Sequence, residues 1–251
     1  MSLIRKLIAR KNIFFRQLFK EKKIKKYLNH KYTVYYSKEI KTEICSLSDG
    51  LTTNKGYSKK KANSIDISEY QNYLDFYADI FSFRKHEIKK IFELGIGTMD
   101  KNLMYNMRHL GEKYLPGDSL RLWREYFSSA LIYGADIDEK ILFEEERIKT
   151  FKVDQSSKDS IKSMWKLINE KNFDIIIDDG CHRFEETIIF FENSIDMLSD
   201  NGKYIIEDIL PSQMIKFLDY FKKTNLNVRF VSFQRPGFNP LNNNIIVISK
   251  V

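Results

Sequence analysis

Phe173-Asp174-Ile175-Ile176-Ile177-Asp178-Asp179-Gly180-Cys181-His182 is the stretch on which the reading of this chain turns. Its apolar run is short, β-branched and polar on both sides, which suits a strand buried on both faces of a parallel sheet better than a helix. Asp178, Asp179 and His182 then fall just past the strand's C-terminal end, the edge at which open α/β sheets bind ligands. A second run, Lys203 to Glu207, closes on Glu207-Asp208 in the same way.

Outward from this strand the pattern repeats. Ile88 to Glu93 reads as a strand followed by Leu94-Gly95-Ile96-Gly97-Thr98. Ala130 to Ala135 reads as a strand ending in Asp136-Ile137-Asp138, and Arg147 to Val153 as one followed by Asp154-Gln155-Ser156-Ser157. Helical spacing covers Ser68 to Phe83, Leu120 to Ser128 with Ser119 as its cap, Ser160 to Glu170, Phe184 to Leu198 and Ser212 to Thr224. Five β-then-α units imply a parallel sheet with right-handed crossovers. The last two strands, Asn227 to Phe233 and Asn244 to Ser249, are joined by about ten residues with no helix, too few for a crossover. The final strand is therefore expected to be antiparallel. The fold expected is Rossmann-like α/β, seven strands mostly parallel with a reversed last strand, the architecture of class I S-adenosylmethionine-dependent methyltransferases.

The Gly95-Gly97 turn fits that fold. Glycines after a first strand permit a tight turn and close approach of the backbone to a ligand. The third glycine of a dinucleotide phosphate loop is absent, so a nucleoside without a pyrophosphate is the better match. Asp136, at the end of the second strand, is placed to accept hydrogen bonds from both ribose hydroxyls. It lies further from the glycines than the usual ~20 residues, which an insertion over residues 99–118 explains.

Charge is divided unevenly. The chain of 251 residues has a net charge of +8, but residues 1–31 hold eleven Lys/Arg against one Glu, a surplus of ten, so the rest carries −2. That basic, amphipathic stretch is read as one or two helices and residues 1–85 as an N-terminal arm and cap, with 86–251 the methyltransferase domain. The arm suits packing, homo-oligomer contact or an anionic membrane surface more than nucleic acid. Between Lys31 and Gly56 the chain reads as polar loop, and the stripe Tyr70, Tyr73, Leu74, Tyr77, Phe81 reads first as helix core, with some phenols free to line a pocket. The first residues lack a signal-peptide shape, no run reaches the ~20 apolar residues of a membrane span, and two cysteines form no framework. A cytoplasmic location is the expectation.

Taken in order, Thr53-Asn54-Lys55, Glu93-Leu94-Gly95-Ile96-Gly97, Gly117 to Trp123, Ile132 to Asp138, Asp154-Gln155-Ser156, Asp178 to His182 and Ile206-Glu207-Asp208 resemble the blocks of macrocin and mycinamicin sugar O-methyltransferases over about residues 50–210. Asn54 stands where that family usually has Asp, Cys181 where it has Ser, and the family's histidine after the first block is missing. The resemblance implies metal-dependent transfer of methyl from S-adenosylmethionine to a sugar hydroxyl. It implies that Glu93, Gly95 and Gly97 hold the methionine part, Asp136 the ribose, and Asp154 with Gln155 the adenine side, with Thr53, Lys55, Ser119, Ile137 and Asp178 also at the cofactor.

The chemistry agrees with these placements. A sugar hydroxyl is a poor nucleophile while protonated, and a divalent cation beside it lowers its pKa and orients it. Neighbouring strand ends ~4.8 Å apart bring Asp178 towards Glu207 and Asp208, an oxygen set that suits Mg²⁺. His182 is the expected general base, and Asp179 its orienting partner or substitute. The acceptor first expected is a nucleotide-activated sugar for a surface polysaccharide, then an antibiotic-like glycoside. A related metal-dependent hydroxylase and a non-catalytic nucleoside- or glycan-binding module are the other readings.

Overall fold

A computed structural model of the chain describes residues 32–36, 42–56, 70–234 and 242–251. The basic arm, the start of the tyrosine helix and the Pro236-Gly237 turn lie outside them. The opening stretch forms β6 (Phe173–Asp178). Its Ile176 joins one hydrophobic cluster and its Ile175 and Ile177 the other, so the run is apolar throughout because both faces are covered.

Eight further strands flank it: β1 (Tyr32–Tyr36), β2 (Lys90–Leu94), β3 (Leu131–Asp136), β4 (Glu144–Glu145), β5 (Ile148–Lys152), β7 (Leu198–Ile206), β8 (Leu226–Gln234) and β9 (Asn244–Lys250). The sheet order is β1-β8-β9-β7-β6-β2-β3-β5-β4. β9 runs antiparallel to both β7 and β8 and lies between them, as the short connection before it requires. The pairs β7-β6, β6-β2, β2-β3 and β3-β5 are all parallel.

Helices α1 (Glu43–Ser48), α2 (Tyr73–Phe81) and α3 (Asp118–Tyr126) contribute to the cluster on one face, with Ile44, Leu74, Tyr77 and Trp123 buried against Ile91, Ile175 and Ile205. Helices α4 (Lys158–Ile168), α5 (Phe184–Glu192) and α6 (Pro211–Phe221) cover the other, around Phe92, Trp165, Phe173 and Phe190. Ile44, Cys45 and the buried residues of α2 thus share one core with the sheet.

The structure differs from the sequence expectation in five places, one of them β4, a two-residue strand antiparallel to β5 that brings the sheet, with β1, from seven strands to nine. The polar stretch before Gly56 contains β1, whose Tyr-Thr-Val-Tyr-Tyr run pairs parallel with β8, and α1, which buries Ile44 and Cys45. Ser119 is not a cap, because α3 begins at Asp118 with Gly117 in the left-handed region at the cap position. A Cβ there would lie 2.3 Å from the Phe143 ring, so the helix start is set by a glycine and not by a hydroxyl. Helix α5 stops at Glu192, and β7 begins at Leu198, earlier than expected, through a register shift against β6.

The strand ends are stitched together at Gly95. Its N–H donates to the Ala135 carbonyl at 2.8 Å, while Asp179 N–H donates to the Leu94 carbonyl at 2.9 Å. Gly95 has φ +83°, and a Cβ on it would come within 2.0 Å of the Asp179 carbonyl oxygen. Left-handed backbone costs an ordinary residue about 1–2 kcal/mol even without a clash. Gly95→Ala is expected to cost at least about 2 kcal/mol and lower Tm by roughly 4–8 °C, measured by calorimetry; an unchanged Tm would contradict this packing.

Candidate active site

The C-terminal ends of β2, β6 and β7 gather the carboxylates of Glu93, Asp178, Asp179, Glu207 and Asp208 at one edge. Register sets Leu94 opposite Asp178, and Asp178 opposite Ile206. Successive residues at such an edge point to opposite faces of the sheet, and that alternation separates Asp178 from Asp179.

Asp178 turns to one side. It is 2% exposed and accepts two hydrogen bonds from Gln155 Nε2, at 2.9 and 3.0 Å, and one from Gly180 N–H at 3.2 Å. Burial pushes its carboxyl up to about 7. Gln155 Oε1 accepts the Cys181 N–H at 2.9 Å, so this side chain braces the turn after β6. Asp154 accepts from the N–H and hydroxyl of Ser156 at 2.9 and 2.6 Å.

Asp179 turns to the other side, towards Lys55. The Lys55 ammonium, buried to 3% exposure, lies 2.6 Å from Asp179 Oδ2, 3.1 Å from Glu93 Oε1 and in contact with Glu207 Oε2. Burial disfavours this ammonium, but Asp179, Glu207 and Glu93 outweigh it and hold the lysine well above its ordinary pKa. Thr53 is buried and its hydroxyl accepts the Lys55 N–H at 3.4 Å. Asn54 and Lys55 carbonyls take the N–H groups of Gln71 and Tyr73, so this motif is fixed to the start of α2.

Helix α2 supplies two phenols that its spacing read first as core. Their rings are buried, yet Tyr77 donates to Glu207 Oε1 and Tyr73 donates to Asp208 Oδ1 at 2.7 Å. Burial and the facing carboxylates hold both phenols well above their usual pKa, so both remain donors. Gln71 Nε2 also donates to Asp208 Oδ1, at 2.9 Å. Glu93 is anchored through Oε2 by Trp123 Nε1 at 2.6 Å; its Oε1, beside Lys55, accepts no hydrogen bond. Gln71 carries no motif and Trp123 closes the block from Gly117 without a role assigned to it there, whereas the i, i+4 pair Tyr73 and Tyr77 was visible as a stripe.

Asp179, His182 and Asp208 each offer a ligand atom within 4.8 Å of one another. Of the expected trio Asp178, Glu207 and Asp208, only Asp208 belongs to this group. Both His182 (φ +52°) and Asp208 (φ +56°) bend back in the left-handed region, which turns their side chains inwards. His182 Nδ1 is buried without a hydrogen-bond partner, 4.0 Å from Asp208 Oδ2. Its carbonyl accepts from Gln213 Nε2 at 2.8 Å, and the Tyr105 ring meets it edge-on at 5.0 Å. Burial lowers its pKa, against the pull of Asp208, so the imidazole is neutral and can accept a proton. Two carboxylates this close suit a divalent cation, and the unpartnered imidazole nitrogen beside them suits a proton acceptor.

On the β3 side, Asp136 is buried and accepts Ile96 N–H at 2.9 Å and Asp138 N–H at 3.0 Å, while Ile137 is exposed. Gly97 has φ +91°. Ser119 is buried in the first turn of α3. Asp136, Gly95, Gly97 and Glu93 therefore converge on the edge beside the acidic group.

Removing one partner of a buried ion pair leaves the rest uncompensated, at a cost of about 3–5 kcal/mol. Lys55→Met is expected to destabilise the fold by that amount in chemical denaturation; a loss below about 1 kcal/mol would show that the acids do not depend on the ammonium.

No protein-family model matches the chain. It is 31% identical over 142 residues to 8-demethyl-8-alpha-L-rhamnosyl tetracenomycin-C 2'-O-methyltransferase of Streptomyces olivaceus, covering 56% of this chain and 34% of that protein. To demethylmacrocin O-methyltransferase of Streptomyces fradiae it is 34% identical over 127 residues, 51% of this chain and 29% of that protein. The chain thus spans about a third of the length of these curated relatives. Among solved structures, the MycE methyltransferase of the mycinamycin pathway, in complex with Mg, SAH and mycinamycin VI, aligns with a TM-score of 0.56 at 20% identity, over 83% of this chain and 54% of that one. The sheet is therefore that of a class I methyltransferase, and the family this sequence resembles, over about half its own length, is that of the macrocin- and mycinamicin-type sugar O-methyltransferases.

Proposed function

We propose that this chain transfers the methyl group of S-adenosylmethionine to a hydroxyl of a sugar, with a divalent cation held by Asp179 and Asp208 and with His182 as proton acceptor. The convergence of Asp179, His182 and Asp208 on the edge that also carries the Gly95-Gly97 turn and Asp136 supports this reading most directly. Oxygen donors favour Mg²⁺, which leaves the imidazole for proton transfer. When bound, S-adenosylmethionine supplies a methyl on sulfonium sulfur, and the cation lowers the pKa of the attacking hydroxyl.

The protein's own groups do the positioning. Gln71 and Tyr73 both bond Oδ1 of Asp208, fixing the carboxylate while its Oδ2 faces His182. Lys55 restrains Asp179 from the other side. With the cofactor bound, His182 would take the proton of the attacking hydroxyl as the methyl passes from sulfur to oxygen, leaving a neutral ether and a thioether. Glu93 offers Oε1, which lies 3.1 Å from the Lys55 ammonium and has no hydrogen-bond partner, to an ammonium, and Asp136 its carboxylate to a ribose. Asp178 and Gln155 shape the turn between these halves.

The names of the relatives bear on the acceptor. A rhamnosyl tetracenomycin is a sugar attached to an aglycone, so a glycoside replaces the nucleotide-activated sugar as the acceptor favoured here. Among the described residues no helix is long and apolar enough to cross a membrane.

S-adenosylhomocysteine at about 100 times its Kd should stabilise the fold by about 2.7 kcal/mol, a rise in Tm of several degrees; no shift at saturation would remove the cofactor. Methylation of an aryl rhamnoside should stop with chelator and return with Mg²⁺. His182→Ala should cut kcat by about 10²–10⁴-fold with S-adenosylhomocysteine affinity unchanged. A parallel loss of affinity would make His182 a structural residue.

A further inference from the structure

Residues 98–117, which separate the glycine turn from α3, are pinned at both ends. Met107 N–H donates to the Thr98 carbonyl and Gly117 N–H to the Ile96 carbonyl, each at 2.8 Å. Between these ties two tyrosines reach different parts of the site. Tyr105 meets His182, whereas Tyr114 covers Gly97: a Cβ on that glycine would lie 1.9 Å from the Tyr114 hydroxyl and 2.9 Å from its ring carbon Cζ. The glycine thus admits a phenol of the chain itself beside the turn expected to hold the cofactor.

The amino-acid end of S-adenosylmethionine brings one ammonium and one carboxylate to this edge. Acceptors for the ammonium are plentiful, since Glu93, Asp179 and Glu207 all lie around Lys55. Three donors among the described residues are already engaged: Lys55 is shared among three acids, and the Tyr73 and Tyr77 hydroxyls are given to Asp208 and Glu207. We propose that Tyr114 recognises the cofactor, its hydroxyl donating to the methionine carboxylate while Glu93 takes the ammonium. This assignment rests on the methyl-donor reading of the site. Burial holds the Tyr114 phenol above its ordinary pKa, with Asp179 adding to the effect and Lys55 opposing it, so the hydroxyl keeps the proton it must donate.

The test compares two ligands on the full chain by titration calorimetry. S-adenosylhomocysteine carries the amino-acid end; 5'-methylthioadenosine keeps the adenine, ribose and thioether without it. Tyr114→Phe preserves the ring and should weaken S-adenosylhomocysteine about tenfold, the loss of one hydrogen bond to a charged group, while leaving 5'-methylthioadenosine unchanged. An equal loss for both ligands would make Tyr114 a packing residue and overturn the assignment, as would unchanged or tighter S-adenosylhomocysteine binding. If the wild type binds neither ligand, the methyl-donor reading itself falls, and the assignment with it.

Discussion

The site depends on one buried ammonium. Lys55 lies among Glu93, Asp179 and Glu207, which come from the ends of three adjacent strands. Parallel strands bring their C-terminal ends together whatever residues they carry, and acids so close repel one another in a medium that screens poorly. A fixed positive charge on a segment outside the sheet lets them remain together. The lysine joins the cofactor side, at Glu93, to the acidic group, at Asp179, and so links the two halves of the proposed reaction through a single side chain.

Helix α2 carries fold and chemistry together. The rings of Tyr73 and Tyr77 pack with Phe233 and Trp123, and their hydroxyls reach over the sheet edge to Asp208 and Glu207. Buried phenols need partners, and here the partners are the site's own acids. The helix cannot shift without moving those carboxylates, which gives the edge a defined geometry although much of it lies just past regular strands.

Much of the architecture was legible in the sequence. The apolar run at β6, its repetition, and the helix-free link before β9 give the existence and direction of the central strands, because burial and connection length leave few alternatives. β1 and α1 were not legible: five residues at a sheet edge and six in a helix are too short for periodicity to stand out. At the site, the edge itself and the residues Asp179, His182 and Asp208 could be read from the strand ends. Which acid faces which partner could not. A strand alternates its side chains, so Asp178 goes to Gln155 while Asp179, and Glu207 on the next strand, go to Lys55; the left-handed backbone at Asp208 breaks the alternation and brings its carboxylate back to that side, towards His182. Tyr114 escaped notice because its role comes from a contact across the insertion.

The central claim is that the acids of this edge are divided, with Asp179 and Asp208 facing a cation and Asp178 facing away. Anomalous diffraction from a crystal soaked in Mn²⁺ tests it most directly. The account predicts one peak within coordination distance of Asp179 and Asp208. A peak coordinated by Asp178, or no peak at this edge, would contradict it.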